Sequence, residues 1–316
     1  MQNACPNPMV GAVVVCEGRI IGEGYHVRCG EGHAEVNAIA SVKPKDEHLL
    51  SESTIYVSLE PCSHYGKTPP CANLIVSKGI RRCVVGCVDP FSKVSGKGIS
   101  ILREAGVEVK VGVLEPECRE LNKRFITFHT LHRPFITLKW AQTYDGFIAP
   151  KHQTTGQPLI ISNHLTATLC HKRRAEHQAI IIGRHTIEAD NPSLNLRHWV
   201  GKTPVPVVIG HRNNLSSKEL TLMGGQTTVN FYPSPVSAVE WLYEDGIQSA
   251  LVEGGRQTLQ GFIDSGIWDE AYVETSNVKI HSGLHAPIIS NAILCSSTDY
   301  DGNTVVKYKN CNPTSL

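Results

Sequence analysis

Two rhythms of hydrophobic and polar positions alternate along this chain, and their order predicts its elements. From residue 10 to about residue 131, short valine- and isoleucine-rich runs are interleaved with stretches of helical period. The runs at 11–16, 20–25, 54–59, 83–88 and 107–111 predict strands, and 34–42, 70–78, 99–105 and 116–130 predict helices. Gly79 and Gly106 supply helix stops. Elements in this order predict an α/β sandwich, with helices on both faces of a mixed sheet.

Arg133-Pro134 ends that pattern, because a residue before proline is driven out of the helical region. A strand at 135–140 then opens a second unit, with further strands expected at 179–183, 205–210, 227–232, 249–253 and 270–274, and a helix at 258–265. No internal repeat relates the two halves. A chain of 316 residues exceeds the usual single domain, and the expected division is 1–132 and 133–316.

The candidate chemistry lies in the first half, where His33-Ala34-Glu35 is followed by Pro61-Cys62 and then by Cys71. One imidazole, two thiolates and a carboxylate two residues past the imidazole are the parts of a zinc-dependent deaminase, in the order such enzymes use. A lone histidine or buried cysteine is usually structural, so the constellation carries the reading. A structural zinc site would close its tetrahedron with a fourth ligand, and His64, although near, is not a compelling one. Three ligands leave a position for water, and Glu35 becomes the proton carrier. His33 falls at the first turn of a predicted helix. Pro61 and Pro70 are placed to open helices, so both cysteines lie where a helix dipole favours a thiolate.

Composition narrows the setting. The net charge is +1 with 19% charged residues, so no basic face points to nucleic acid as substrate. Eleven cysteines, an odd number without a repeating framework, suit a reducing cytosol. No signal peptide and no membrane-spanning apolar run is present, so a soluble, cytoplasmic protein without membrane partners is expected.

Pro6-Asn7-Pro8-Met9-Val10-Gly11, His33-Ala34-Glu35 and the run Pro61-Cys62-Ser63-His64-Tyr65-Gly66-Lys67-Thr68-Pro69-Pro70-Cys71 resemble the pyrimidine deaminase domain of bacterial riboflavin biosynthesis. Nucleic-acid and nucleoside deaminases usually place two to four residues between the two cysteines, whereas this chain places eight. Asp89-Pro90 and Gly96-Lys97-Gly98 resemble the family's substrate loop. The resemblance implies a cytidine-deaminase-like three-layer sandwich. It also implies zinc on His33, Cys62 and Cys71, with Glu35 as proton shuttle. Asn7, His26, His64, Lys67 and Asp89 would line the site for a phosphorylated pyrimidine. Lys67, aided by His64, suits the phosphate.

In the second half, Gly254-Gly255 between a strand and a helix is by itself a weak phosphate signal, lacking the full dinucleotide fingerprint. Together with Leu138-Lys139-Trp140-Ala141, Asp145-Gly146, Ile161-Ser162-Asn163 and the run from Ala189 to Arg197, it resembles the reductase domain fused to this deaminase in many bacteria. That resemblance implies a dihydrofolate-reductase-like α/β fold using NADPH. Contacts to NADPH would come from Ala141, Ile160, Thr186, Asp190 and the stretch Gly255, Arg256, Gln257, Thr258, Leu259, Gln260 and Gly261. Arg174, Leu194, Arg197 and Glu253 would face the substrate, with Lys139 and Asp145 as further polar candidates and Asp190 as the candidate proton donor. A fork of donors makes either arginine suited to a phosphate ester, and a salt bridge is the plain alternative.

Three positions depart from the family: Lys67 replaces an arginine, Ile160 a tryptophan, and Phe91 the asparagine after Asp-Pro. The family's helix ahead of the Pro-Asn-Pro turn has no counterpart in the few residues before Pro6, so one face of the first domain is expected to be less covered. Two rival readings are a nucleic-acid-editing deaminase, which wants a basic surface and shorter cysteine spacing, and a zinc-stabilised binding module, in which Glu35 would be incidental. Self-association is left open by the sequence.

Overall fold

The computed structural model describes residues 4–63, 69–91, 95–151, 159–190, 192–211 and 229–316. The chain divides into two compact units, Asn3–Thr130 and Leu131–Leu316.

The first unit is built on β1 (Gly11–Cys16), β2 (Arg19–Tyr25), β3 (Thr54–Leu59), β4 (Arg82–Cys87) and β5 (Glu108–Val111), in the order β2-β1-β3-β4-β5. β1 runs antiparallel to β2 and β3, while β3, β4 and β5 are parallel, so the sheet is mixed. Burial alternates along β1 but is nearly continuous along β4, as expected of a central strand covered on both faces. One cover consists of α1 (Ala34–Ala40), α2 (Cys71–Ser77) and α3 (Lys97–Glu104). From them Ala38, Ile75 and Leu102 pack with Val14, Val57 and Val85 in one core. Gly86, next along β4, faces the other way, where a Cβ would collide with Cys118 on α4 (Glu115–Leu121). The unit therefore has three layers.

The helix expected over 116–130 is two helices, α4 and α5 (Lys123–Leu131). Asn122 separates them. Its side chain is buried, with Oδ1 accepting from the Met9 amide at 2.8 Å and Nδ2 donating to the Met9 carbonyl at 2.9 Å. That long-range tie left no mark in the local period. A 3-10 helix at Pro44–Glu52 also went unforeseen, since only Asp46 and Leu50 of its residues are buried.

The second unit carries β6 (Phe135–Gln142), β8 (Ala179–Gly183), β9 (Val205–Ile209), β10 (Asn230–Tyr232), β11 (Ser249–Val252), β12 (Glu270–Thr275), β14 (Ala292–Tyr300) and β15 (Asn303–Asn310). Their order is β10-β9-β8-β11-β6-β12-β15-β14. Neighbours are parallel from β10 to β12 and antiparallel thereafter. A separate pair is formed by β7 (Phe147–Pro150) and β13 (Gly283–His285). β8 and β11 are buried at every position, which is why they read as unbroken apolar runs. The strand expected over 227–232 is seen from Asn230, and 227 and 228 lie outside the described residues. The β14–β15 hairpin was missed because β14 is exposed along nearly its whole length and has no buried stripe to read.

Arg133, which ends the first pattern, is fully buried. Its Nη1 and Nη2 donate to Asp269 Oδ2 and Oδ1 at 2.7 and 2.9 Å, and its Nε donates to the Thr314 carbonyl at 2.6 Å. Asp269 Oδ2 also accepts from the Ile136 amide at 2.7 Å, so one buried pair fastens the starts of β6 and β12. Removing the cation strands a buried carboxylate. Arg133→Met is expected to cost about 3–5 kcal/mol. All four tryptophans (Trp140, Trp199, Trp241 and Trp268) lie in this unit, so a lowered urea midpoint in intrinsic fluorescence checks the loss directly.

Candidate functional site

His33 is the N-cap of α1, in extended conformation, and leaves its imidazole free of capping. Cys71 is the first residue of α2, with Pro70 as its cap, and Cys62 lies on the strand-to-helix connection after β3. These ends converge. His33 Nδ1 lies 3.5 Å from Cys62 Sγ and 3.4 Å from Cys71 Sγ, and all three ligand atoms fall within 4.8 Å of one another. Zn–N and Zn–S bonds of about 2.1 and 2.3 Å at a tetrahedral angle give an N···S edge of about 3.6 Å, so the donors fit a zinc ion without rearrangement.

Glu35, in the first turn of α1, is 3% exposed. Burial is the chief reason its pKa is pushed up to about 7, a value suited to exchanging protons at neutral pH. Cys62 is drawn down to about 4, first by its hydrogen bond with Cys71 and further by His33, while that bond and burial push Cys71 up. The pair thus offers one ready thiolate before any cation arrives.

Asn7 and His26 are brought beside this centre. The two rings of His26 and His33 meet edge to face at 5.3 Å, and His26 bridges the Gly32 carbonyl and Asn7 Nδ2, each at 3.1 Å. Asp89 is buried, its Oδ1 accepting from the Phe91 amide at 2.8 Å. Phe91, the departure next to it, packs its ring 4.9 Å from His129, which also meets Phe125 and Phe128. His64 and Lys67 lie outside the described residues.

Glu60, unnoticed in the sequence, ties this region together. Its Oε2 accepts from the amides of Asp89 at 3.3 Å and Gly96 at 2.9 Å, and its Oε1 from Gly98 at 2.9 Å and Ile99 at 3.3 Å. Gly98 is required there, since a Cβ would collide with the Pro61 carbonyl. The only sequence sign was a carboxylate next to Pro61-Cys62.

In the second unit, Arg174 on the helix His164–Glu176 grips Glu253 with Nε to Oε1 at 3.0 Å and Nη2 to Oε2 at 2.7 Å. Its Nη1 donates to the carbonyls of Ser193 and Asn195, both at 3.2 Å. The guanidinium expected to face substrate thus has all three nitrogens engaged within the chain, and its work is to hold Glu253 and residues 193–195 in place. Burial alone would raise Glu253, but the Arg174 charge overrides it and leaves the pKa at about 2. Nearby, Lys139 Nζ lies 3.6 Å from Glu274 Oε2, which also accepts from Ser162 at 2.7 Å, while Asn303 donates to Oε1 at 2.7 Å. Burial opposes the Lys139 charge, yet Cys170, Glu274 and Glu253 hold its pKa above the ordinary lysine value.

Other expected side chains are placed differently. Leu194, expected to face substrate, has its side chain buried in a core with Ile180, Ile182, Ile187 and Val208. Leu259 likewise sits in the main core. Asp145 is engaged by the Thr143 hydroxyl at 2.6 Å and the His281 amide at 2.8 Å, which makes it a turn anchor. Arg197 is exposed, and its amide donates to His171 Nδ1 at 3.1 Å. Burial, with the nearby Arg174 charge, lowers His171 to about 4 and keeps it a neutral acceptor. Asn195 Oδ1 is buried without a hydrogen-bond partner among the described residues.

A cavity of about 1120 Å³ opens at the carboxyl ends of β8, β9, β10 and β11. Thr186, Gly255, Arg256, Gln257, Thr258, Gln260 and Gly261 line it, as expected for a cofactor site, whereas Ala141, Ile160, Asp190 and Leu259 do not. Ile160 is 81% exposed. The helix Arg256–Ser265 begins at Gly255 with no side-chain cap, and the Gly255 amide donates to Thr186 Oγ1 at 3.1 Å. Gly183 and Gly254 let the ends of β8 and β11 close on Thr258, where a Cβ would intrude. Uncapped amides facing a cavity are suited to an anion such as a pyrophosphate.

Comparison with known proteins finds relatives of both units. The cytidine and deoxycytidylate deaminase zinc-binding region matches residues 1–87, and the RibD C-terminal domain matches residues 134–275. The riboflavin biosynthesis protein RibD of Aquifex aeolicus is 39% identical over 303 residues, covering 88% of this chain and 83% of that protein. RibD of Bacillus amyloliquefaciens is 36% identical, covering 90% and 82%. Among solved structures, a diaminohydroxyphosphoribosylaminopyrimidine deaminase/5-amino-6-(5-phosphoribosylamino)uracil reductase from Thermotoga maritima superposes with a TM-score of 0.87 at 36% identity, covering 98% of this chain and 94% of that one. On matches that run through both units, the chain belongs to the RibD family of riboflavin biosynthesis proteins, enzymes that unite a deaminase and a reductase.

Proposed function

We propose that residues 1–132 deaminate 2,5-diamino-6-(5-phosphoribosylamino)pyrimidin-4(3H)-one, and that residues 133–316 reduce the ribosyl group of the resulting 5-amino-6-(5-phosphoribosylamino)uracil to ribityl with NADPH. The convergence of His33, Cys62 and Cys71 beside the buried Glu35 carries the first assignment. Those three residues would hold zinc, which would supply Lewis acidity toward water. Glu35 takes a proton from the attacking water and returns it to a ring nitrogen of the base, and ammonia leaves from the same ring carbon. Asn7 and His26, fixed to each other and to the Gly32 carbonyl, present a rigid polar wall to the base. Asp89 is assigned to the base and ribose phosphate, as are His64 and Lys67, which lie outside the described residues.

The uncapped start of the helix Arg256–Ser265 supports the second assignment. Thr186 and the Gly255–Gly261 stretch would hold NADPH, which would supply the hydride for reduction at C1 of the opened ribosylamino group. Lys139 on β6 and Glu253 at the end of β11 are assigned to that reaction, and Arg174 positions Glu253. Arg197 is exposed for the phosphate. The substrate is a small molecule. No described helix is long and apolar enough to cross a membrane, and no disulfide joins the cysteines among the described residues, which suits work in the cytosol.

Glu35→Gln is expected to lower ammonia release about 10²- to 10⁴-fold. Zinc content and NADPH-dependent reduction of the deaminated intermediate should stay at native levels, and metal analysis with parallel ammonia and NADPH assays checks all three. Retained deamination would remove Glu35 from its role.

The second unit should also weaken in acid in two stages. His171 has a folded pKa of about 4 against 6.5 in water, so the stability it contributes is whole above 6.5 and lost as pH falls toward 4. Glu253 has a folded pKa of about 2 against 4.5, so its share is lost below 4.5. Urea midpoints from tryptophan fluorescence across pH 7 to 3 test this. The His171→Asn variant should flatten the upper stage alone.

A further inference from the structure

The cofactor cavity contains a feature that the deaminase and reductase assignments leave unused, a cluster of basic side chains at one end. Strand order fixes which end that is. Glu253 follows β11 and Lys139 lies on β6, so the groups assigned to the reduction occupy the β11-β6 side of the sheet. The cavity extends the other way, past β8 and β9 to β10. A dinucleotide with its nicotinamide against the substrate and its pyrophosphate at Gly255 must therefore run its adenosine half over the ends of β8 and β9.

Arg184 and His185 stand there directly after β8, and His211 stands just past β9. With Arg256 they give the lining four basic side chains against a single acid, Asp264, which is already bound by Gln260 at 2.7 Å. Arg184 is held ready. Its Nη1 pairs with Glu188 at 2.7 Å, its Nη2 donates to His185 Nε2 at 3.1 Å, and its stem packs over Gly210, where a Cβ would collide with it. Glu188 does not line the cavity, so it steadies the guanidinium without presenting a carboxylate to the ligand. A ribose with a free 2′-hydroxyl is matched by an acceptor, whereas a 2′-phosphate needs cationic donors.

We propose that Arg184, flanked by His185 and His211, reads the 2′-phosphate of the adenosine ribose and makes this reductase select NADPH over NADH. The inference rests on the NADPH reading above and adds the residue that enforces it. The test is direct binding, with substrate absent, of NADPH and NADH to the full chain, followed by cofactor fluorescence. The native chain should favour NADPH, and Arg184→Gln should weaken NADPH about ten- to hundredfold, the loss of charge-assisted hydrogen bonds, with NADH affinity unchanged. Arg184→Lys should retain part of the preference, and adenosine 2′,5′-bisphosphate should displace NADPH from the native chain far better than AMP does. A native preference for NADH would overturn the cofactor reading and this inference with it. A native preference for NADPH that Arg184→Gln leaves intact, or equal weakening of both cofactors, would overturn the inference alone.

Discussion

A carboxylate removed from water must be given partners or give up its charge, and both units are arranged around that requirement. Glu60 satisfies it with four backbone amides drawn from a segment about thirty-five residues downstream. Because Glu60 is two residues from Cys62, the same bonds tie the segment carrying that cysteine to the loop carrying Asp89. Moving either would leave buried amides and a buried anion unmatched together, a larger penalty than losing any one contact. In the second unit, Asp269 plays the corresponding part at the base of the sheet through Arg133, and Glu253 at its carboxyl end through Arg174.

Those ties also decide what could be read from the sequence. The strands of both sheets were legible because buried faces impose a period of two, or an unbroken apolar run, on consecutive residues. The centre of His33, Glu35, Cys62 and Cys71 was legible because its spacing is chemical and local. Asn122 was not, since its partner Met9 lies 113 residues away and nothing nearby records the contact. Glu60, Glu274 and Asn303 escaped for the same reason. Arg174 and Leu194 were found as residues without their neighbours: a motif names positions, whereas only the fold shows that one is clasped by Glu253 and the other enclosed by isoleucines and a valine.

The two sites use burial to opposite ends. Glu35 and Glu253 are both deeply enclosed, and desolvation pushes each toward the neutral form. Glu35 has no cationic side chain bonded to it, so desolvation prevails and its pKa rises to about 7. Glu253 is met by a two-pronged guanidinium, so the charge is kept and its pKa falls to about 2. A group that must gain and lose a proton in every turnover needs the first environment. One that must keep a fixed anion beside a substrate needs the second. The difference between the two carboxylates is therefore made by one bonded guanidinium, which Glu253 has in Arg174 and Glu35 lacks among the described residues.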